Sequence, residues 1–254
     1  MTVGIIGLGL IGGSLAKAFC REEGNTVLGW DTDSTIVEFA QIAQAIHGPL
    51  TDERLGELDL LLLATYPEAV VEHMTRLAPL LSKHTMVIDC AGTKEKVCAG
   101  VFPLAERYGF RFLGGHPMAG TEFSGIQHAL VNMFHGAHYI LTPNDQSRPE
   151  HVALMERLAV HIGCANIVKT TPENHDAIIA YTSQMMHIIA VSVCDDPSLF
   201  AYQGFEGDSF RGCTRVAALD VGLWTQLFSL NQPALLAAVD RLLDNLQSYR
   251  DALA

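Results

Sequence analysis

The chain is predicted to be an α/β protein over residues 1–171, a doubly wound sheet with helices on both faces, followed by an all-helical domain over residues 172–254. Three observations predict this. Short apolar segments alternate with helical patterns through the first part of the chain, as βαβ units require. The first of these segments, Val3-Gly4-Ile5-Ile6, runs directly into Gly7-Leu8-Gly9-Leu10-Ile11-Gly12. From Pro172 onward strand patterns stop and only helical periodicity remains.

The elements follow in order. Residues 3–6 form the first strand and open into a helical pattern over 14–19. Thr26-Val27-Leu28-Gly29-Trp30 is the second strand, ending at Asp31. Ser34 stands where it would cap a helix running through Ala45. Residues 58–65 are nearly all apolar, the mark of a strand covered on both faces. Pro67 then opens a helix at its first turn, and 85–89 is the next strand. Residues 94–108 read as helix, 110–113 and 139–142 as strands, 150–162 as helix and 167–168 as the last strand. Between Pro172 and Cys194 there is no further Gly or Pro, which predicts one long helix. After the loop around residues 204–212 two more helices are expected. The last begins at Pro233 and lines up Leu235, Val239, Leu242, Leu246 and Tyr249 on one stripe. That stripe can pack inside the subunit or against a second copy; a homodimer through these C-terminal helices is the expectation.

The glycine segment is G-x-G-x-x-G placed between a strand and a helix, the context that gives the pattern its meaning. Gly7 permits the tight turn, and Gly9 lets the backbone approach a pyrophosphate. Gly12 allows helix to pack closely on strand, with the helix N-terminus facing the anion. This is the Rossmann-type dinucleotide signature. Asp31, nineteen residues after Gly12, completes it: a carboxylate there accepts both ribose hydroxyls of NAD and repels the 2′-phosphate of NADP. The expected cofactor is therefore NAD. Its contacts are Gly7, Leu8, Gly9, Leu10, Ile11, Gly12 and Asp31, joined by Thr65, Tyr66 and Pro67 at the end of the 58–65 strand.

Composition narrows the partners. Across 254 residues, 16 basic and 28 acidic side chains leave a formal charge of −12. A nucleic-acid surface needs clustered Lys and Arg, so none is expected. No apolar run is expected to approach the roughly 20 residues of a membrane span, and no leader is expected before the first strand. The six cysteines include no C-x-x-C pair and no zinc-site spacing; reduced thiols in a cytoplasmic protein, and no metal, are expected.

In an open α/β sheet, chemistry sits beyond the carboxyl ends of the strands. Gly114-Gly115-His116-Pro117-Met118-Ala119-Gly120-Thr121-Glu122 is placed there by the 110–113 strand. An imidazole held at a strand end titrates near neutrality, and it can take a proton from a hydroxyl as hydride leaves the same carbon. The helical domain adds Ser183 and His187, four residues apart on one helix face, and the arginines Arg211 and Arg215, whose planar forks suit a carboxylate. For Arg211 a plain surface salt bridge is an equal reading, and Trp224 reads as core.

Taken together, Gly7 to Ser14, the Gly-Gly-His-Pro-Met-Ala-Gly-Thr-Glu stretch, Tyr139 to Pro143 and Ser209 to Arg215 resemble the prephenate/arogenate dehydrogenase family of tyrosine biosynthesis. The resemblance runs in order across nearly the whole chain. It implies oxidative decarboxylation of a cyclohexadienyl ring, with hydride passing to NAD, the 4-hydroxyl deprotonated by a histidine and the ring carboxylate leaving as CO2. By that resemblance His116 matches the catalytic histidine and Arg215 the substrate-anchoring arginine. Ser183 and His187 fall on the family's Ser-His-x-x-His helix segment; Arg211 and Glu122 complete the substrate set. His187 is expected to donate a hydrogen bond to the side-chain end of the substrate. No acidic residue lies between Tyr181 and Cys194 to hold an ammonium, so prephenate is expected over arogenate.

Two departures from the family pattern stand out. Gln184 and Met185-Met186 replace the usual His-Leu-Pro, and Gly92 stands where the family's Asp-x-x-Ser motif supplies a hydroxyl. Thr93, with a shift of the loop, or a water is the candidate substitute. Two other readings compete. A β-hydroxy-acid dehydrogenase would rely on a lysine in the helical domain, and residues 172–194 contain none. A catalytically weak NAD sensor is suggested only by Gly92 and Gln184, and it would not need His116, His187 and Arg215 together.

Overall fold

The computed structural model describes residues 1–121, 123–145 and 147–254. They form two compact units, Met1–Pro172 and Glu173–Ala254.

The first unit begins with β1 (Thr2–Ile6), α1 (Leu10–Cys20), β2 (Thr26–Trp30), α2 (Ser34–Ile42) and β3 (Gly48–Pro49). It continues through β4 (Leu60–Leu63), α3 (Pro67–Leu77), β5 (Met86–Asp89), α4 (Glu95–Tyr108) and β6 (Arg111–Pro117), and closes with β7 (His138–Thr142), α5 (Pro149–His161) and β8 (Asn166–Lys169). The eight strands lie in the order β3-β2-β1-β4-β5-β6-β7-β8. Order reverses at β1, beside β4, which is where a doubly wound sheet opens its crevice. One apolar layer, with Leu15, Phe19, Ile88 and Leu141, covers one set of strand side chains. A second, with Leu61, Val70, Val87 and Val101, covers the other. Burial on both faces is why β4 reads as Leu60-Leu61-Leu62-Leu63.

Several elements differ from expectation for identifiable reasons. The cap of α2 is Asp33, whose carboxylate accepts from the Thr35 N–H at 2.9 Å and from the Thr35 hydroxyl at 2.7 Å; Ser34 is the first helical residue. The edge strand β3 is two residues, Gly-Pro, with no apolar alternation to announce it. Most consequential is β6, which runs on through Gly114, Gly115, His116 and Pro117 instead of ending at Leu113. Residues 111–113 pair in parallel with β5, and residues 114–117 pair antiparallel with β7. The expected parallel order thus contains one antiparallel step, and His116 lies within a strand.

The second unit is helical: α6 (Pro172–Ile179), a π-helical turn (Ala180–Gln184), α7 (Met185–Cys194), α8 (Asp208–Thr214), α9 (Val221–Leu230) and α10 (Gln232–Leu253). Among the described residues three α-helices follow the long run, with 3-10 turns at Pro197–Tyr202 and Arg215–Ala217, because the expected loop at 204–212 contains the start of α8. By length and composition the Pro172–Cys194 run is long and apolar enough to cross a membrane, contrary to expectation. It nevertheless buries His175, Asp176 and Gln184, and Ala180 and Met185 pack against Leu235 and Ala238 of α10. Only part of the run is covered in this way: 28% of its most apolar window is buried, and Ile178, Tyr181, Met186 and Val193 are exposed. Along the α10 stripe, Leu235 is buried and Val239 and Leu242 are partly covered, whereas Leu246 and Tyr249 are 53% and 70% exposed. All six cysteines are free thiols.

Candidate active site

The glycine loop is shaped by its neighbours. Gly7 has φ +85°, and a Cβ on it would stand 2.5 Å from the Ala64 carbonyl oxygen. At Gly12 a Cβ would meet the Gly7 carbonyl at 1.8 Å, so α1 can approach β1 only with glycine there. Gly9 is different: nothing lies within 4 Å of where its Cβ would stand. That open backbone at the N-terminus of α1 suits the close approach of a pyrophosphate. The loop is tied to β2 by Gly7 N–H donating to the Trp30 carbonyl at 2.8 Å and Leu8 N–H donating to Asp31 Oδ2 at 2.8 Å. Asp31 therefore stands directly beside the loop, with its carboxylate half-buried. At the adjacent strand end, Thr65 presses its methyl group toward Gly7 and leaves its buried hydroxyl without a partner. Tyr66 and Pro67 then begin α3, with Tyr66 partly exposed. These residues fit a dinucleotide.

A second unpartnered hydroxyl belongs to Thr93, which is 1% exposed and follows β5. Leaving a buried hydroxyl unbonded costs about 1–3 kcal/mol, so such a group calls for an explanation by use. Next to it, Lys94 and Asp89 form an ion pair with both side chains 0% exposed. Asp89 also accepts from Ala91 N–H at 3.0 Å and from Gly115 N–H at 3.2 Å, and Lys94 donates to the Gly115 carbonyl at 2.7 Å. His116, half-buried, follows directly on β6. The unit thus gathers the glycine loop, Thr65, Thr93 and His116 at the ends of β1, β4, β5 and within β6. The sequence places the segment from Asp89 to Lys94 at the carboxyl end of β5, but the pairing of these two side chains with each other and with Gly115 is seen only in the structure.

In the helical unit, His187 is the centre of a small cluster. Its Nδ1 lies 2.9 Å from the Ser183 carbonyl, and its ring lies against Trp224 with centroids 3.6 Å apart and planes tilted by 32°. Ser183 therefore contributes its carbonyl, and Trp224 a face, to orienting the imidazole. Because a carbonyl only accepts, Nδ1 carries the proton and Nε2 presents a lone pair when the ring is neutral. Burial lowers the pKa of His187; the Ser183 carbonyl opposes that shift and the nearby Arg215 charge reinforces it. The lowered pKa favours the neutral ring, in which Nε2 is the free acceptor; the protonated ring donates there. Arg215, exposed, follows α8, and Arg211 on α8 faces Glu206 electrostatically. Gln184, the departure from the family pattern, is buried: its amide donates to the Leu227 carbonyl at 3.1 Å and accepts from Asn231 at 2.8 Å. It is a structural residue with its polar groups satisfied. Glu122 lies outside the described residues.

Comparison with known proteins follows the same division. Residues 15–168 match the family model described as "Prephenate dehydrogenase, nucleotide-binding domain", and residues 171–254 match "Prephenate dehydrogenase, dimerization domain". A cyclohexadienyl dehydrogenase of Zymomonas mobilis is 31% identical over 99% of this chain and 88% of its own length. Among solved structures, prephenate dehydrogenase from A. aeolicus in complex with hydroxyphenyl propionate and NAD+ is 28% identical with a TM-score of 0.88, covering 100% of this chain and 90% of that one. Arogenate dehydrogenase from Synechocystis is also 28% identical, with a TM-score of 0.83 over 100% of this chain and 92% of its own. With both units matched in order, the chain belongs to the prephenate dehydrogenase family.

Proposed function

We propose that this chain catalyses NAD-dependent oxidative decarboxylation of prephenate to 4-hydroxyphenylpyruvate. The observation that carries the proposal is the convergence, in one unit, of a dinucleotide-shaped glycine loop, the unpartnered hydroxyls of Thr65 and Thr93, and the half-buried imidazole of His116. When bound, NAD supplies the hydride acceptor. His116, as the neutral base, takes the proton of the 4-hydroxyl, and Thr93 provides the hydroxyl that Gly92 lacks. Arg215 anchors the ring carboxylate until it leaves as CO2. Aromatisation drives the reaction, so the residues mainly position groups and manage charge.

Arogenate is a second reading, and a specific observation favours it. The neutral His187 offers an acceptor, which suits the ammonium of arogenate; donation to the keto or carboxylate oxygens of prephenate requires the imidazolium. The ratio of kcat/KM for prephenate over arogenate is therefore expected to fall as pH rises through the lowered pKa of His187, and to level off above it. In His187→Val the ratio is expected to be independent of pH. Arg215→Ala is expected to lower kcat/KM for both substrates about 10–100-fold, the scale of a hydrogen-bonded charged contact of about 1.5–3 kcal/mol. Steady-state NADH formation with the two substrates in the three proteins reads all of this. A ratio flat with pH in the wild type would remove His187 from the side-chain subsite. Selective damage to one substrate in Arg215→Ala would remove Arg215 from the shared carboxylate.

A homodimer through α10 belongs to the same proposal. Leu243, Leu246, Tyr249 and Leu253 are exposed on a helix that lies in the region matched by a dimerization model. Sedimentation equilibrium is expected to return twice the protomer mass; a monomer at micromolar concentration would contradict it.

A further inference from the structure

The Asp89–Lys94 pair has no part in the proposed chemistry, yet it is fully buried. A buried ion pair is a poor source of stability, because desolvating two charges offsets much of their attraction, and apolar residues of similar size commonly do as well. What the pair holds explains it better. Backbone pairing of β5 with β6 runs Met86–Arg111, Val87–Phe112 and Ile88–Leu113. Beyond that point side chains continue the ladder: Asp89 takes the Gly115 N–H at 3.2 Å and Lys94 takes the Gly115 carbonyl at 2.7 Å. Both polar groups of one residue are thus held by the two members of one ion pair. Gly115 cannot be exchanged for a stiffer residue. A Cβ there would stand 2.7 Å from the Asp89 carbonyl oxygen and 3.0 Å from the Tyr139 hydroxyl. The close packing that demands glycine also puts the most freely rotating residue immediately before His116.

We propose that the Asp89–Lys94 pair is a positioning device for His116, clamping Gly115 so that the imidazole leaves the strand in one direction; this rests on His116 being the base. Asp89 and Lys94 are positioning residues and touch no reacting atom in this account. The test is a mutant cycle of Asp89→Leu/Lys94→Met with His116→Asn. The apolar pair removes both bonds to Gly115 without stranding a charge. It is expected to lower kcat about 10–100-fold, the cost of misplacing a catalytic group by about 1 Å. NAD binding, followed by quenching of intrinsic fluorescence, should stay within about twofold of wild type, because the glycine loop is untouched. In the His116→Asn background the same pair is expected to change kcat by less than about twofold, since no base is left to misplace. The milder Asp89→Asn, with one oxygen where the carboxylate has two, is read in the same cycle should the apolar pair not fold. Effects that multiply in the combined variant, or a pair variant within about threefold of wild type, overturn the clamp and leave the histidine assignment standing. Full activity in His116→Asn alone overturns the histidine assignment and the clamp with it.

Discussion

Replacing His116 with Asn is expected to lower kcat by about 10²–10⁴-fold, the usual worth of general base catalysis, with the fold and NAD affinity kept. Asn is close to the imidazole in size and keeps a polar group on β6, so the antiparallel pairing of His116 with Ile140 need not change. The loss should appear in kcat more than in KM, because proton abstraction is required only as the transition state forms. Stopped-flow measurement of NADH formation separates the chemical step from product release. A variant within about threefold of wild type would reassign the proton acceptor.

The second large effect concerns Asp31. NAD is expected to be preferred over NADP by at least about a hundredfold in kcat/KM, because like charges in contact cost several kcal/mol. Asp31→Asn separates charge from structure. The amide oxygen can still accept from Leu8 N–H, the bond that ties the loop to the end of β2, while the repulsion is removed. The preference is expected to narrow at least tenfold, mainly through a lower KM for NADP. Equal use of the two cofactors by the wild type would mean that Asp31 serves the loop alone.

How much of this was legible in the sequence depends on the range of the interactions. The glycine loop, Asp31 and the strand β4 announce themselves because their residue types answer local demands: a positive φ at Gly7, close packing at Gly12 and burial of four consecutive leucines. His116 stood out for its flanking glycines and proline, but its place inside β6 did not. Whether residues 114–117 are loop or strand is decided by β7, which arrives some twenty residues later and pairs antiparallel. The Asp89–Lys94 clamp was hidden for a similar reason, since its target Gly115 lies on another strand. At His187 the residue was legible and its chemistry was not. The Ser183 carbonyl fixes which nitrogen bears the proton of the neutral ring, a contact that makes the role of Nε2 depend on protonation. Gln184 looked like a catalytic loss in sequence, and the structure gives it buried partners in Asn231 and Leu227.

The most direct test of the central claim is the stoichiometry of turnover with prephenate and NAD. Purified protein is given prephenate as sole donor, and NADH, CO2 and 4-hydroxyphenylpyruvate are measured in the same reaction, beside a panel of β-hydroxy acids. The account predicts one of each product per prephenate consumed and no comparable NADH formation from the hydroxy acids. NADH formed without CO2, or kcat/KM for a hydroxy acid exceeding that for both prephenate and arogenate, would contradict it.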